Sequence, residues 1–234
     1  MRCGLYGKLP AKRDFIAQFA PRSFLGIWEP WIQGGVSASR QSLGEAWQQA
    51  FLTAPIWRFW LGKELCGTTV TGAFMPSLDG VGRYFPLTLF VCADEQAAIP
   101  PPELNAQDEW FAQIEEFLLS TLDQDATFES ISAALDALSA PSDCLPTPER
   151  DSIIAAAEET VALPTRERAF PEVFASVRAA DHANVYSAAT FWWTIGGEGY
   201  EPLVMAGRRM PDPFVFAQML TGRFSAESLF ASSV

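Results

Sequence analysis

Histidine and cysteine, on which most metal sites and many nucleophilic enzymes depend, are scarce in this sequence. The 234 residues contain one histidine, His182, and four scattered cysteines that form no C-x-x-C pair. A structural zinc site needs clustered Cys or His ligands, and a disulfide framework needs paired cysteines in a secreted chain. We therefore predict neither, and we interpret the cysteines as reduced, mostly buried thiols: Cys3, Cys66, Cys92 and Cys144.

Catalytic and nucleotide-binding motifs are also missing. The sequence has no H-E-x-x-H, no G-x-x-x-x-G-K-[ST] and no G-x-S-x-G, so His182 lacks the nucleophile context of a Ser-His-Asp triad. The pair Gly80-Val-Gly82 lacks the third glycine of a dinucleotide fingerprint and precedes a strand pattern. These absences predict a protein that is not an enzyme and that holds no cofactor and no metal ion.

Long apolar runs and excess positive charge are absent as well. No run of about 18 apolar residues occurs, and the first ten residues lack the apolar core of a signal peptide. We therefore predict a cytoplasmic protein with no membrane insertion. A net charge of −12 argues against nucleic acid as a partner, since phosphate recognition needs basic patches.

The charge that is present is distributed unevenly. More than half of the Lys and Arg residues precede Val91, whereas residues 94–159 are strongly acidic. A soluble acidic surface is the more common explanation of such a pattern, and a surface that meets a basic protein partner is the other.

Aromatic residues are plentiful, with 18 Phe and 8 Trp, so the chain can bury a large core. Apolar, strand-forming runs predict strands at residues 2–6, 56–61, 67–75, 87–91 and 186–195, and the Gly-rich turn after residue 195 predicts a hairpin with 200–205. Spacings of three and four residues predict helices at 24–43, 43–53, 108–122, 127–138, 151–163, 171–181 and 214–220. If the first of these helices starts near Trp28, Pro30 lies in its first turn, where the missing N–H costs little, and Gly34-Gly35 weakens its middle.

These elements predict an α+β fold, an α/β/α sandwich in which helices cover both faces of a mostly antiparallel central sheet. Strands flank a helical, variable middle at about residues 94–184. The simplest organisation is a single domain over residues 1–234, and the alternative is two lobes separated at the Pro-rich stretch around Pro100. We expect the Ser- and Pro-rich residues 138–150 to be the least ordered part of the chain.

The most informative stretch is Met75-Pro-Ser-Leu-Asp-Gly-Val-Gly-Arg-Tyr-Phe-Pro-Leu-Thr-Leu-Phe-Val91. A polar, turn-forming run leads directly into a buried strand, which is where proteins often hold functional side chains on a rigid base. Asp79 and Arg83 are four residues apart, close enough to pair with each other or to face a partner together. A different function, small-ligand binding or hydrolysis, would require Asp14, Ser77 and Asp79 to converge in one deep pocket.

Several blocks, in order, resemble one family. They are Gly4-Leu-Tyr-Gly-Lys-Leu-Pro10 with Asp14-Phe15, Leu43-Gly-Glu-Ala-Trp47, Pro55-Ile-Trp-Arg58, Met75-Pro-Ser77 with Asp79, and Val81-Gly-Arg-Tyr-Phe-Pro-Leu87. Together they resemble the TagF (ImpM) family of accessory proteins of bacterial type VI secretion. The chain departs from the family pattern at Lys12-Arg13, where a small residue and a glycine are usual before Asp14, and at Gly80, where an arginine is usual.

The resemblance implies a cytoplasmic post-translational repressor of the secretion apparatus. Family members are thought to bind the apparatus's forkhead-associated scaffold protein and to work beside, or fused to, a phosphatase of a threonine-phosphorylation pathway. No phosphatase module is visible in this sequence, because the aspartate motifs that bind its metal ions are missing.

We expect the ends of neighbouring strands to bring seven residues into one polar rim around exposed aromatic side chains, and this rim to dock the protein partner. The predicted partner-binding residues are Lys8, Asp14, Phe15, Ser77, Asp79, Gly82 and Arg83. The alternative is that Gly7, Pro10, Asp14 and Arg83 form an internal lock between two loops and bind no partner.

Overall fold

A computed structural model of the chain describes residues 1–94, 97–143, 145, 154–157, 160–163, 165 and 168–224. The described strands are β1 (Cys3–Gly7), β2 (Ile16–Gln18), β3 (Trp57–Leu61), β4 (Val70–Met75), β5 (Leu87–Cys92), β6 (Ile154–Ala157), β7 (Thr160–Ala162), β8 (Thr190–Thr194) and β9 (Leu203–Gly207). Seven of them form one sheet in the order β2-β1-β5-β4-β3-β8-β9, while β6 pairs with β7. All pairings among the described strands are antiparallel.

The described helices are α1 (Arg22–Leu43), α2 (Trp47–Thr53), α3 (Lys63–Cys66), α4 (Asp108–Ser120), α5 (Phe128–Ala137), α6 (Phe170–Ala180), α7 (His182–Val185) and α8 (Val215–Thr221), with a short 3-10 segment at Gly44–Ala46. Helices α1, α2 and α8 pack on one face of the large sheet, and α4 and α5 pack on the other. This arrangement confirms the predicted α+β sandwich. No helix in the described ranges has both the length and the apolarity to cross a bilayer.

Alternation along the strands builds a separate core on each face of the sheet. In β1, Leu5 joins the core under α4 and α5, whereas its neighbour Tyr6 joins the core under α1 and α8. The second core is rich in indole rings, whose N–H groups need acceptors once they are buried. Trp28 illustrates this, because its Nε1 donates to the Thr88 hydroxyl of β5 at 3.1 Å.

Helix α1 begins earlier than the sequence predicts. It starts at Arg22, so Pro30 lies inside the helix and not in its first turn. An interior proline removes one backbone hydrogen bond, and the buried face of α1 offsets that loss by packing into the core. Gly35 has a packing role, since a Cβ there would lie 2.8 Å from Phe216 Cγ. The glycine therefore lets α8 approach α1 closely.

The predicted helix at residues 151–163 is wrong where the chain is described. Strands β6 and β7 occupy this region and pair as an antiparallel hairpin. Alanine favours helix, but the β-branched residues Ile154, Thr160 and Val161 favour strand, and the hairpin satisfies that preference. Residues 151–153 and 158–159, together with 144 and 146–150 of the stretch expected to be least ordered, lie outside the described residues.

The segment before the late hairpin also differs from the prediction. The strand expected at residues 186–195 is confined to β8, because the chain in front of it forms α7 and a turn. The Pro-rich stretch beside Pro100 packs against the sheet, with Ile99 buried and its carbonyl accepting a hydrogen bond from Trp60 Nε1 at 3.0 Å. The division into one domain or two lobes stays a prediction.

Candidate functional site

Two loops meet at one end of the large sheet. The first loop, residues 8–15, follows β1, and the second loop, residues 76–86, connects β4 to β5. Gly7 at the end of β1 pairs with Leu87 at the start of β5, and Leu87 also pairs with Met75 at the end of β4. The register of the strands therefore places the two loops side by side.

Asp79 is the acceptor that joins the two loops. Its side chain is 0% exposed, and its Oδ2 accepts hydrogen bonds from Lys8 Nζ at 2.8 Å and from Arg83 Nε at 2.7 Å. Its Oδ1 accepts from the backbone N–H groups of Val81 at 3.1 Å and Arg83 at 2.9 Å. Four donors, two of them cationic, therefore surround one buried carboxylate.

These contacts keep Asp79 ionised. Burial alone raises the pKa of a carboxyl group, because it disfavours the charged form. Hydrogen bonds from Lys8, Arg83 and the Val81 backbone outweigh burial and hold the pKa of Asp79 well below its ordinary value of 3.8. Asp79 is thus a fixed negative charge, and it is unsuited to donate a proton as a general acid.

Hydrogen bonds to backbone carbonyls strengthen the contact between the loops. The Ser77 hydroxyl donates to the Lys8 carbonyl at 2.8 Å, and the Gly80 N–H donates to the Lys12 carbonyl at 2.7 Å. The fit is close, since a Cβ at Gly80 would lie 3.0 Å from the Pro10 carbonyl oxygen. The first loop is therefore held to the second along its length.

Arg83 makes the outermost connection. Its Nη2 donates to the Arg13 carbonyl at 2.5 Å while its Nε remains on Asp79. The turn before it is closed by the Gly82 N–H, which donates to the Asp79 carbonyl at 2.9 Å, and Gly82 has a φ of 83° that favours glycine. The guanidinium is consequently fixed in place although its side chain is 59% exposed.

Apolar side chains are exposed beside this arginine. Phe15 is 50% exposed and Val81 is 56% exposed. The Phe15 ring is held by an edge contact with Phe85, with ring centroids 4.8 Å apart. An immobilised aromatic ring next to a fixed arginine is the kind of anchor that carries affinity at protein interfaces.

The structure divides the seven predicted partner-binding residues into two groups. Asp14, Phe15, Gly82 and Arg83 are exposed, as the prediction requires. The remaining three are buried and belong to the support beneath the rim, which corrects the prediction of direct contact for Lys8, Ser77 and Asp79. Binding of a partner by the exposed group stays a prediction.

The alternative, an internal lock, describes part of the geometry. Arg83 takes part in the lock, and a Cβ at Gly7 would lie 2.1 Å from the Pro86 carbonyl oxygen, so the loops fit tightly. The acidic member is Asp79, however, and not Asp14. Asp14 is exposed and makes no hydrogen bond or ion pair with the described part of the chain. The same two loops therefore form both the buried lock and the exposed rim.

The arrangement needed for small-ligand chemistry is not formed. Ser77 and Asp79 are buried and engaged in hydrogen bonds, whereas Asp14 lies at the surface. Five of the depressions in the described part of the surface, of about 300 to 850 Å³, are lined by other residues and not by these three. Within the described ranges, no cluster of His, Cys, Asp and Glu is placed to hold a metal ion.

Comparison with protein families identifies the chain. A model described as "TagF N-terminal domain, Type VI secretion system-associated" matches residues 4–138, more than half of the sequence, including both loops of the site. The chain belongs to the TagF family. This confirms the resemblance in the sequence blocks and associates the chain with type VI secretion.

The similarity extends beyond the matched domain. The crystal structure of PA0076 from Pseudomonas aeruginosa PAO1 is similar to this TagF-family chain with a TM-score of 0.78 and 34% sequence identity, and the alignment covers 96% of each chain. No curated protein matches the sequence. Because the alignment covers 96% of the chain, the shared fold extends well beyond residues 4–138.

Sequence reasoning missed two contributors to the TagF site. Val81 is an apolar residue at the tip of a polar turn. From that contrast, an exposed apolar side chain at the site could have been predicted. Arg13 contributes a backbone carbonyl to Arg83, and no pattern of side chains predicts that contribution.

Proposed function

We propose that this TagF-family chain is a post-translational negative regulator of type VI secretion, which acts by binding a protein partner. The partner expected from the family resemblance is the forkhead-associated scaffold protein of the apparatus. The chain would act on it in the cytoplasm, by contact and without catalysis, alongside a threonine phosphatase pathway.

The observation that supports this proposal most is the rigid rim formed by the two loops. We define the docking surface as the exposed residues Asp14, Phe15, Val81, Gly82 and Arg83. The Asp79-centred hydrogen bonds hold these residues from beneath, and the antiparallel sheet holds the loops. A protein that works by contact needs such a surface, with an aromatic anchor, an aliphatic neighbour and a fixed arginine.

Immobilisation before binding favours affinity. Ordering a flexible side chain at an interface costs about 0.5–1.5 kcal/mol, and a side chain that is already ordered avoids much of that cost. Arg83 is held at Nε by Asp79 and at Nη2 by the Arg13 carbonyl, and Phe15 is held by Phe85. The remaining face of the guanidinium is free to meet an acidic group of the partner.

The same contacts speak against catalysis at this site. The Asp79 carboxylate has a lowered pKa and four donors, and the Ser77 hydroxyl donates to a carbonyl. Neither group faces solvent, so neither is placed to attack or protonate a substrate.

A charge reversal at the centre of the docking surface tests the proposal. We expect Arg83→Glu to weaken binding of the purified scaffold protein by about tenfold or more, as removal of an interface anchor does. The matched control is Arg22→Glu, because Arg22 is an exposed cation at the start of α1, beyond the opposite end of β1. Isothermal titration calorimetry would measure both, and secretion by a deletion strain complemented with each variant would report repression.

Because Arg83→Glu also places a carboxylate beside Asp79, a second variant separates binding from folding. Val81 contributes only its backbone N–H to the lock, so Val81→Asp should leave the thermal midpoint near that of the parent while it weakens binding. Variants at both positions that stay folded, bind the scaffold and repress secretion like the parent would remove the case for this surface.

A further inference from the structure

The opposite edge of the sheet carries a second surface that the docking surface does not use. Strand β9 pairs with β8 on one side, and no strand among the described residues pairs with its other side. Val204 in β9 is 73% exposed and the nearby Ile195 is 61% exposed. An unpaired edge offers a row of backbone N–H and C=O groups to another strand.

The free edge has defined ends. Pro202 precedes β9 and cannot donate a backbone hydrogen bond, and Arg208 and Arg209 follow it. The Arg209 carbonyl accepts a hydrogen bond from the Thr190 hydroxyl at 3.0 Å, which holds the end of the strand against β8. The pairing surface is therefore five residues long, Leu203–Gly207, with an acid at Glu201 before it and two cations after it.

We propose that β9 pairs antiparallel with β9 of a second copy of this chain, about a two-fold axis at Met205. When two copies of one strand pair antiparallel, the beginning of each copy lies beside the end of the other. The charge pattern of β9, acidic before the strand and basic after it, therefore favours a second copy as the partner. Glu201, before the strand, then comes to the end of the paired strands where Arg208 and Arg209 follow the strand of the other copy. Glu201 and Arg209 are exposed, and within the described chain neither makes an ion pair.

The sheet itself restricts the register. Val204 lies opposite Trp193 in β8, and Met205 lies opposite Trp192, so the two β9 residues face opposite sides of the sheet. Residues directly opposite each other in an antiparallel pair share a face, which permits pairing of Met205 with itself but not with Val204. With the axis at Met205, the exposed Val204 meets Ala206 of the other copy.

Neighbouring permitted registers lose the charge match. An axis at Val204 sets Glu201 opposite Gly207, and an axis at Ala206 sets the Arg208 side chain opposite Val204. Of these three, only the axis at Met205 centres the acidic and basic ends on each other and also pairs Val204 with Ala206 and Met205 with itself. Because each copy uses its β9 edge once, the pairing closes as a dimer and does not continue as a fibre.

Sedimentation velocity on the full chain over a wide range of concentrations tests the dimer. We expect reversible dimerisation, with Glu201→Arg and Arg209→Glu each weakening it by about tenfold or more, because each reversal turns two attractive pairs into two like-charge pairs. The double variant Glu201→Arg/Arg209→Glu restores the opposite charges and should dimerise within about threefold of the parent. Glu116→Arg on α4 makes the same charge change at an exposed position away from β9 and should have no effect.

Crosslinking tests the register independently of charge. The two-fold axis places Met205 opposite its own copy at a separation that a disulfide can span, whereas Val204 and its own copy are diagonal and too far apart. Met205→Cys should therefore give a disulfide-linked dimer under mild oxidation, and Val204→Cys should give much less.

Three results would overturn the proposal. They are a monomer at all concentrations, a dimer that single charge reversals leave unchanged, and a failure of the double variant to restore dimerisation while circular dichroism shows it folded. None of these outcomes depends on the partner bound at the docking surface, so the two proposals fail or succeed separately.

Discussion

Replacement of Asp79 by alanine tests whether a buried ion pair holds the two loops together. In the parent, the carboxylate is paired with Lys8, whose side chain is only 8% exposed, and with Arg83, whose side chain is 59% exposed. Without the carboxylate, Arg83 can turn to water, whereas the Lys8 ammonium is left buried without its counter-ion. Loss of one partner of a buried ion pair typically costs about 3–5 kcal/mol.

That cost is large for a chain of this size. Proteins have unfolding free energies of about 5–15 kcal/mol in total, so Asp79→Ala should remove a substantial part of the stability. With a shift of about 2–4 °C per kcal/mol for chains of 150–250 residues, the thermal midpoint should fall by about 6–20 °C. Urea unfolding followed by tryptophan fluorescence gives the free energy directly.

Asp14→Ala is the matched control, because Asp14 is an exposed aspartate on the adjoining loop. Its effect should stay within about 0.5 kcal/mol. The double variant Lys8→Met/Asp79→Ala removes both buried charges and should recover part of the loss, with a coupling of about 0.5–3 kcal/mol. If Asp79→Ala costs no more than Asp14→Ala, the buried pair does not hold the loops and this reasoning is refuted.

The same carboxylate gives the stability a defined dependence on pH. The pKa of Asp79 is lower in the folded chain than the ordinary value of 3.8, so its contribution to stability is complete above that value. The contribution is lost as pH falls from there toward the lower pKa of the folded state. The free energy of unfolding of Asp79→Asn should therefore decline less steeply in acid than that of the parent.

Three further predictions concern packing, capping and thiol reactivity. Gly35→Ala places a methyl group against Phe216 and should lower the free energy of unfolding by about 1–3 kcal/mol. Gly26→Ala on the same helix meets no atom within 4 Å and should raise the free energy of unfolding by about 0.5–1 kcal/mol. Thermal melts of the two variants distinguish these effects. Thr127→Ala removes the capping box with Ser130 and should cost about 1 kcal/mol in urea unfolding. Burial raises the pKa of the described thiols to about 11 or 12, so alkylation of the native chain near neutral pH, followed by mass spectrometry, should be slow for Cys3, Cys66 and Cys92.

The sheet was predictable because its strands are strongly marked. Residues 56–61 and 87–91 are largely apolar runs, each preceded by a proline, and they coincide closely with β3 and β5. Strand β2 has no such mark. Its three residues, Ile16–Gln18, owe their conformation to pairing with β1 across the first loop, and three residues are too few to show an alternating pattern.

Tertiary contacts also explain the errors in the helices. Pro30 is unfavourable inside an isolated helix, so the sequence favours a start close to it. The actual start at Arg22 is stabilised by burial of Phe24 against Phe90, with ring centroids 4.1 Å apart. That aromatic contact joins α1 to β5, and its contribution cannot be read from the spacing of residues within α1.

The candidate site was predictable only in part. A spacing of four residues indicates that Asp79 and Arg83 can pair, and they do. Lys8 lies 71 positions from Asp79, and the antiparallel register of β1 and β5 brings it there. Burial of Ser77 and Asp79 follows from the contact of one loop with the other, so a sequence that marks both loops as polar cannot show which residues face inward.

The two departures from the family pattern lie next to each other in space. Lys12-Arg13 adds cations in the first loop, and Gly80 lacks the arginine usual in the second, yet the Gly80 N–H donates to the Lys12 carbonyl at 2.7 Å. The backbones at the two positions are therefore in direct contact, while the Lys12 ammonium lies over the Phe128 ring, 4.1 Å from its centroid. Residues 84–149 contain no Lys or Arg, whereas the two loops, 8–15 and 76–86, carry four cations and two acids, so they form a cationic patch on an acidic molecule. Because the field of such a patch orients a charged partner before contact, a partner with an acidic face is the one that these two loops would steer.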